Sequence, residues 1–433
     1  MKPQLSICEL ASYDILPKQQ TLVTETKIIA DIPPTHEDPK VHVHDPNIIQ
    51  RNLFDSLTFK QTTLSEDPHY FASVIYELEQ HGSITEWHQL KKLDLSRQNL
   101  TSIQKLDHCF PILEELNVSH NELKSISGLP KSLIHLYAYD NKLNDIEMYH
   151  LDKLQHLDIS HNHINAFQDM SQLKSLRILD ASHNMITSCK AFQKLPQLIS
   201  LSLKANCLRR LTHFEEVSKD SQLESLDVSF NRIDILSSIE NLTNLRELNA
   251  DHNDIKYVHL NQPLERLCKL RLSFNRLKSF DMSPFPDIRI LYLDDNQIER
   301  IIGATFISRL DSFSLRDQGR QKVEFNIQYL RGARKLYLSG SPFERLCQMY
   351  DFYSLEYLEI CAANIEELPS DFSKFMPNLS TLYLSANRLK DIRPLRKLKY
   401  LRRLVLIENC LTSINEVIQV VHHLKQLHYL DLR

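Results

Sequence analysis

The chain has 433 residues, a formal net charge of -4 and 24% charged residues, so it has no general basic field to attract nucleic acid or a membrane. Its eight cysteines are scattered without a C-x-x-C pair, which is typical of reduced, intracellular thiols. No 18-residue apolar run and no continuous apolar signal segment at the N-terminus occur, so we expect a soluble protein of the cytosol or nucleus.

Residues 1–46 form an N-terminal segment to which the sequence assigns no fold. Within it, residues 31–46 carry four prolines and predict an extended linker. His42 and His44 form an H-x-H pair that is a possible metal motif. Because no cysteine lies nearby and the acids belong to the same linker, a solvated linker is the preferred interpretation.

Residues 47–89 are predicted to form a helical N-terminal cap. Pro68 suits the first position of a helix and Gly82 its end. An apolar stripe at helical spacing consists of Phe71, Val74, Ile75 and Leu78. We expect this helix, together with Trp87, to cover the exposed edge of the first repeat, and a partner-binding helix is the alternative.

Residues 90–433 repeat an eleven-residue frame, L-x-x-L-x-L-x-x-N-x-L, about sixteen times. The steps are most often 22 residues, which is the leucine-rich-repeat period. Alternating apolar residues in each copy predict a short strand that only neighbouring copies can bury. The predicted fold is an α/β leucine-rich-repeat solenoid, with short parallel strands on the concave face and 3₁₀ turns and loops on the convex face.

The ninth position of the frame is asparagine in eleven of the fifteen complete copies. Its amide is expected to be buried and hydrogen-bonded to the backbone of the neighbouring coil. This structural asparagine ladder comprises Asn121, Asn141, Asn162, Asn184, Asn206, Asn231, Asn253, Asn275, Asn296, Asn387 and Asn409. Gln318, Ser341 and Ala363 replace it in three later copies, where we expect the array to bend or loosen.

Two further patterns concern the segments that follow the ladder residue. Apolar residues three apart, as in Leu236, Ile239 and Leu242 or in Ile392, Leu395 and Leu398, predict 3₁₀ turns. The sixteenth copy is truncated, because Leu427, Leu430 and Leu432 begin a frame that stops at Arg433. We expect further chain or a partner to cover that edge.

The sequence offers no chemistry for an enzyme. No P-loop, G-x-G-x-x-G, G-x-S-x-G or H-E-x-x-H motif occurs, so no catalytic site, cofactor or small-molecule substrate is predicted. Asp158 and Asp180 have the spacing of a glycosidase pair, but an open sheet favours a solvated acidic stripe. Histidines recur at the eighth position without converging at zinc distance, and no metal is predicted for His120, His161, His183 and His252.

The outward positions of the frame change from acidic in the early copies to aromatic and cationic in the later ones. The predicted partner-binding residues are Arg271, Tyr292, Arg316, Lys335, Tyr337, Tyr357, Tyr383 and Arg403. Tyrosine and arginine anchor protein interfaces, and neighbouring arginines suit an acidic or phosphorylated peptide. The alternative is that these tyrosines merely pack on an exposed sheet while the charges solvate it.

Four segments resemble the leucine-rich-repeat domain of the fungal spindle-pole-body scaffold, a relative of animal centriolin. They read LDSFSLRDQ (310–318), RKLYLSGSPF (334–343), LEYLEICAANIEELPSDF (355–372) and PNLSTLYLSANRLKDIRPL (377–395). The resemblance, which extends over roughly residues 90–433, implies part of a non-enzymatic scaffold of mitotic exit or septation initiation, located in the cytoplasm at the cytoskeletal spindle pole body. The implied partners are proteins: a GTPase, its GTPase-activating complex, kinases and spindle-pole components.

Two other functions remain open from the residues alone. Some short intracellular repeat proteins are adaptors of nuclear RNA-protein particles, which requires a basic patch with interleaved aromatic residues. Others regulate phosphatases and belong to the same class of binding proteins. Identification of the proteins bound in a mitotic extract distinguishes these functions from the scaffold.

Overall fold

The computed structural model describes residues 89–433 except residues 145, 147–149, 168–169, 304–308, 320–322 and 341–348. The predictions for residues 1–88 therefore lie outside the described residues. They include the linker with His42 and His44 and the helix that precedes Trp87. The ladder position of Ser341 also lies outside them.

The described residues contain twenty short β-strands. In chain order they are β1 Lys92–Asp94, β2 Glu115–Asn117, β3 His135–Tyr137, β4 His156–Asp158, β5 Ile178–Asp180, β6 Ser200–Ser202, β7 Ser225–Asp227, β8 Ile235–Leu236, β9 Glu247–Asn249, β10 Tyr257–Val258, β11 Lys269–Arg271, β12 Ser279–Asp281, β13 Ile290–Tyr292, β14 Arg300–Ile302, β15 Ser312–Ser314, β16 Lys335–Tyr337, β17 Tyr357–Glu359, β18 Thr381–Tyr383, β19 Arg403–Val405 and β20 Tyr429–Asp431. All except β8, β10, β12 and β14 form one sixteen-stranded sheet.

Each strand of this main sheet pairs in parallel with the strand of the next repeat. The central residues lie opposite one another, as Leu226 does with Leu201 and Leu248. Leucine is the central residue of every strand except β15, where Phe313 takes its place. Because successive side chains of a strand point to opposite faces of the sheet, these central residues form the buried core, and the first and third residues of each strand point outward. The predicted leucine-rich-repeat solenoid with a long parallel sheet is confirmed.

The segments between strands are short and varied. The helices are α1 Leu106–Cys109, α2 Phe372–Phe375 and α3 Ile414–Val421, and the 3₁₀ helices are Lys190–Lys194, Thr212–Glu216, Ile327–Leu330 and Arg393–Lys397. The 3₁₀ prediction is confirmed around Leu395. In the other example Leu236 belongs to β8, which pairs with β10, and a 3₁₀-type turn follows it, because the Leu242 amide donates to the Ile239 carbonyl at 3.0 Å. No helix among the described residues has the length and apolar character needed to cross a bilayer.

Each ladder asparagine links its own turn to the preceding coil. The Asn231 Nδ2 donates to the carbonyl of Leu203 at 2.9 Å and to that of Val228 at 3.0 Å, while its Oδ1 accepts from the Leu208 amide at 2.9 Å. All eleven ladder asparagines donate in this way to a carbonyl of the preceding coil. These bonds satisfy backbone groups that burial would otherwise leave unpaired.

The ladder positions without asparagine do not interrupt the sheet. The Gln318 side-chain amide makes the same hydrogen bonds as a ladder asparagine. Its Oε1 accepts from the Ile298 amide at 3.1 Å, and its Nε2 donates to the Leu293 carbonyl at 2.9 Å. Ala363 has no side-chain amide, and its backbone amide donates to the Asn387 Oδ1 of the following coil at 3.1 Å. Strands β13 to β18 stay paired through this region, so the expected loosening is absent from the strand pairing.

Candidate protein-interaction surface

The eight predicted partner-binding residues lie on the outward side of the main sheet. Lys335, Tyr357 and Arg403 begin their strands, whereas Arg271, Tyr292, Tyr337 and Tyr383 end theirs, and Arg316 follows β15 by two residues. We call the outward residues of strands β11 to β19, with Arg316, the late face. The corresponding residues of strands β1 to β9 are the early face.

Three tyrosines of the late face form a continuous row. The ring centroids of Tyr337 and Tyr357 are 4.8 Å apart, and those of Tyr357 and Tyr383 are 5.7 Å apart. Tyr292 stands outside this row because Ser312 and Ser314 of β15 separate it from Tyr337. Burial raises the pKa of Tyr337 and Tyr357, and the Glu359 carboxylate raises that of Tyr357 further. Both hydroxyls are therefore protonated at neutral pH.

Arg316 is engaged within the chain. Its Nε and Nη2 donate to the two carboxylate oxygens of Glu359 at 2.8 and 2.7 Å, so the pair is bidentate. Its backbone amide donates to the Asp294 carboxylate at 2.8 Å, and its guanidinium lies 4.5 Å from the centroid of the Tyr337 ring. The predicted ligand-binding cation is therefore the centre of an internal network.

Glu359 completes this network from two coils away. Its Oε1 also accepts from the Ser339 hydroxyl at 2.7 Å, and its Oε2 accepts from the Tyr357 hydroxyl at 3.2 Å. The residue is only 8% exposed. Because every carboxylate oxygen has two donors, the buried charge is compensated and the tyrosine row is held in one arrangement.

Arg271 is likewise engaged. Its Nε lies 2.7 Å from the Asp251 carboxylate, which is buried, and its guanidinium lies 5.9 Å from the Tyr292 ring centroid. Burial raises the pKa of Asp251, although the Arg271 charge counteracts that shift. Arg271 and Tyr292 thus form a cation-π pair, but the arginine charge is neutralised within the chain.

Lys335 and Arg403 differ from the other two cations. Both are exposed, and neither forms an ion pair with an acidic side chain of the described residues. The Arg403 guanidinium lies 4.5 Å from the Tyr429 ring centroid. The two residues occupy the same column three strands apart, about 14 Å at the usual strand spacing. These cations, with the tyrosine row between them, are the groups available to an acidic ligand.

The early face has the opposite character. Asp158 and Asp180 lie opposite each other on adjacent strands, and each Oδ1 accepts a backbone amide two residues ahead. Burial raises the pKa of Asp158 and lowers that of the adjacent His156. This arrangement is an acidic patch on the outward side of the sheet.

The eighth-position histidines lie at the ends of the strands and make contacts of their own. His161 and His183 stack with ring centroids 4.1 Å apart, and His120 lies 2.6 Å from the Asp140 carboxylate. His252 lies between two phenylalanine rings. In the part of the chain that the structure describes, no three His, Cys, Asp or Glu residues are grouped to hold a metal ion.

The sequence reasoning missed the acids that neutralise the late-face arginines. These acids are Glu359, Asp294 and Asp251. A signal was present, because Arg316 and Glu359 lie two repeats apart with the small residue Ser339 between them. Pairing across two coils requires the known stacking of the strands, so repeat spacing alone could not establish it.

Known proteins share the leucine-rich repeats of this chain, and one of them is similar to it over most of its length. A family profile described as leucine-rich repeats in two copies matches residues 377–419. The septation initiation network scaffold protein cdc11 of Schizosaccharomyces pombe is 33% identical over 370 residues, which are 80% of this chain and 33% of that protein. Protein NUD1 of Saccharomyces cerevisiae is 29% identical over 84 residues, which are 19% of this chain and 10% of that protein. The chain thus spans only a third or less of these relatives.

A solved structure supports the fold independently. The leucine-rich-repeat protein of Leptospira interrogans aligns with a TM-score of 0.65 and 24% identity, over 81% of this chain and 86% of that one. At this identity the likeness concerns the fold alone. The similarity to the two yeast proteins confirms the predicted resemblance to the fungal scaffold family. The repeat profile and the similarity to the scaffold protein support a protein-interaction domain.

Proposed function

We propose that this leucine-rich-repeat chain, which is similar to part of the septation initiation network scaffold, is a non-enzymatic interaction module of a spindle-pole-body scaffold. Its partners in this proposal are a GTPase-activating complex and kinases that control mitotic exit, cytokinesis or septation. Its place in the cell is the cytoplasmic spindle pole body. The similarity to two yeast proteins supports this assignment over an RNA-particle adaptor or a phosphatase regulator.

The observation that carries the proposal is the tyrosine row of the late face with two available cations. Tyr337, Tyr357 and Tyr383 are in contact on a rigid sheet, and Lys335 and Arg403 lie in the same region. Aromatic rings with a polar group supply contact area at low entropic cost, and cations add charge recognition. Because the Arg316–Glu359 pair already orders this surface, little ordering remains when a partner binds.

The spacing of the cations describes the ligand more closely. An extended peptide advances about 3.4 Å per residue, so about four residues cover the distance from Lys335 to Arg403. The proposed ligand is an extended segment with two acidic or phosphorylated residues about four positions apart, and with apolar residues that rest on the tyrosines. Both cations lie at the first position of their strands, so the segment runs across the sheet.

The test compares two charge reversals in the full chain by quantitative mass spectrometry of proteins captured from mitotic extract. Lys335→Glu with Arg403→Glu is expected to reduce capture of the GTPase-activating complex and kinases by about tenfold, since two charge contacts are reversed. Asp158→Lys with Asp180→Lys is the control on the early face. Arg316 is kept, because reversing it would place a repulsive charge beside Glu359.

Two outcomes contradict the proposal. If capture survives the late-face reversal and fails with the early-face reversal, the partner binds the early face and the proposed site is wrong. Recovery of RNA-particle proteins by the unchanged chain, in place of spindle-pole regulators, removes the scaffold function itself. Thermal unfolding of each variant establishes that it is folded before capture is compared.

A further inference from the structure

The eighth position of the frame has a left-handed backbone throughout the array. Its residues, with φ between 49° and 76°, are Arg97, His120, Asp140, His161, His183, Ala205, Phe230, His252, Phe274, Asp295, Asp317, Gly340, Ala362, Ala386 and Glu408. Glycine and short polar residues tolerate this conformation best. Phe230 and Phe274 are therefore unusual, because they place large apolar side chains in a backbone conformation that does not favour them.

These two phenylalanines form an exposed stack with His252 between them. The ring centroids of Phe230 and His252 are 4.2 Å apart, those of His252 and Phe274 are 4.1 Å apart, and the rings are within 15° of parallel. Phe230 is 47% exposed and Phe274 is 46% exposed. We call these three residues the ring ridge. It projects at the ends of the strands, beyond the outward face of the sheet.

The column of rings is interrupted on one side of the ridge. Ala205 occupies the eighth position between His183 and Phe230, so no ring among the described residues stacks on that face of Phe230. Two coil spacings separate His183 from Phe230, about 9 to 10 Å, which accommodates one inserted ring in contact with both. The Lys204 ammonium lies over the Phe230 ring at this gap, 5.4 Å from the ring centroid.

Two cations near Phe230 are available to an acidic ligand. Neither Lys204 nor the exposed Arg232 forms an ion pair with an acid of the described residues. The acids in the adjoining coil are engaged: Asp251 pairs with Arg271, and Asp254 pairs with Arg276. Burial lowers the pKa of His252, so its ring is neutral at pH 7 and stacks as an apolar surface.

We propose that the ring ridge is a second interaction surface, which binds a partner segment with an aromatic or long aliphatic side chain beside a carboxylate. The apolar side chain packs on the open face of Phe230 above Ala205. The carboxylate pairs with Lys204, and Arg232 adds to the attraction. Apolar area and opposite charge thus recognise the same short segment. This surface is separate from the late face, so the inference does not depend on the function proposed above.

A displayed library of random twelve-residue peptides tests the inference on the full chain. Selection on the unchanged chain, after depletion on the F230A/F274A variant, is expected to enrich peptides with an aromatic or aliphatic residue next to Asp or Glu. Alanine occupies the same left-handed position at Ala205, Ala362 and Ala386, so this variant preserves the backbone that the turn requires. Thermal unfolding verifies that it is folded.

Fluorescence anisotropy then measures the affinity of the most enriched peptide for matched variants. Binding is expected to weaken at least tenfold in F230A/F274A, and to weaken severalfold with a smaller salt dependence in Lys204→Gln. Tyr257→Ala is the control, since Tyr257 is 61% exposed and belongs to β10 outside the main sheet. It should bind the peptide as the unchanged chain does.

Several results overturn the inference. Enrichment of basic peptides contradicts the charge argument, and failure to select any peptide that distinguishes the unchanged chain from F230A/F274A contradicts the role of the rings. A peptide lost with Lys335→Glu and Arg403→Glu, but retained by F230A/F274A, belongs to the late face. That last result removes the ring ridge as a site and leaves the proposed function intact.

Discussion

Two stretches of the sheet differ in the hydrogen bonds that link each coil to its neighbours. From Asn121 to Asn296, nine consecutive coils carry an asparagine whose amide is buried inside the turn. Between Asn296 and Asn387, the Gln318 side chain accepts from the Ile298 amide inside the turn, and the Ala363 backbone amide donates to the Asn387 side chain. In the same interval, the Arg316–Glu359 pair links coils across the outward face.

The two kinds of tie have different consequences for binding. An interior amide holds the array together without affecting what a partner touches. A network on the outward face holds the array and also orients the side chains that a partner meets. The late face therefore combines stability with preorganisation. Outward hydrogen bonds of the early face, such as that from the Asn249 amide to the Asp227 carboxylate at 3.0 Å, join adjacent coils only, whereas the Arg316–Glu359 pair spans two coils. This difference explains why the tyrosine row and the irregular ladder occur in the same coils.

The strongest test of this comparison is to remove an interior tie. Asn231→Leu leaves the buried Leu208 amide without a partner and removes one of the two side-chain amides that donate to the Leu203 carbonyl, so we expect the free energy of unfolding to fall by about 3 kcal/mol. Urea unfolding followed by circular dichroism measures it. Asn415→Leu, at an exposed position of α3, is the control and should have little effect. Equal stability of the two variants would show that the ladder asparagine does not stabilise the early coils.

Removal of the tie on the outward face should have a smaller effect. Arg316→Met leaves the Glu359 carboxylate buried without its bidentate partner, and we expect a loss of about 2 kcal/mol, below the value for a fully buried pair because Arg316 is 31% exposed. The double variant Arg316→Met with Glu359→Leu should recover most of this loss in the same urea experiment. If the single and double variants have the same free energy of unfolding, the Arg316–Glu359 pair does not stabilise the late coils.

A still smaller effect distinguishes the same frame position in the two regions. The Ser339 hydroxyl donates to Glu359 and accepts from the Cys361 amide at 2.9 Å, so Ser339→Ala should cost about 1 kcal/mol. Ser182 occupies the seventh position of an early coil, where its backbone amide and carbonyl make the described hydrogen bonds and its hydroxyl makes none of them. Ser182→Ala should therefore leave the urea midpoint nearly unchanged. A similar shift for both serines would remove the distinction between the regions.

The repeat pattern predicted much of this architecture because its signals are local. Alternating leucines around Asp227 predict a strand, and a fixed step places that strand beside its neighbours. The available cations were less accessible to prediction. Whether Arg316 or Lys335 is free depends on a carboxylate from another coil, which the period alone does not identify. The ring ridge was missed for a related reason, since Phe230 and Phe274 stand at a position that sequence reasoning examined only for histidine.

The smallest expected effect concerns the junction between the two regions. Asp295 precedes Asn296, the last ladder asparagine before Gln318. Burial and then the charges of Asp317 and Asp294 raise the pKa of its carboxyl to about 6. Because the folded-state pKa is above that of the unfolded chain, stability from this group is complete below pH 4 and is lost as the pH rises through 6. Asp295→Asn should therefore stabilise the protein at pH 7.5.

The expected gain is under about 1 kcal/mol, because the side chain is exposed and solvent screens it. Urea midpoints at pH 7.5 and pH 4 measure the gain, which should decrease toward zero at the lower pH. High salt should reduce it at pH 7.5, since salt screens repulsion from Asp317. Asparagine also suits the left-handed backbone of Asp295, whose φ is 49°. A gain of equal size at both pH values would therefore assign the effect to the backbone and not to repulsion at the junction.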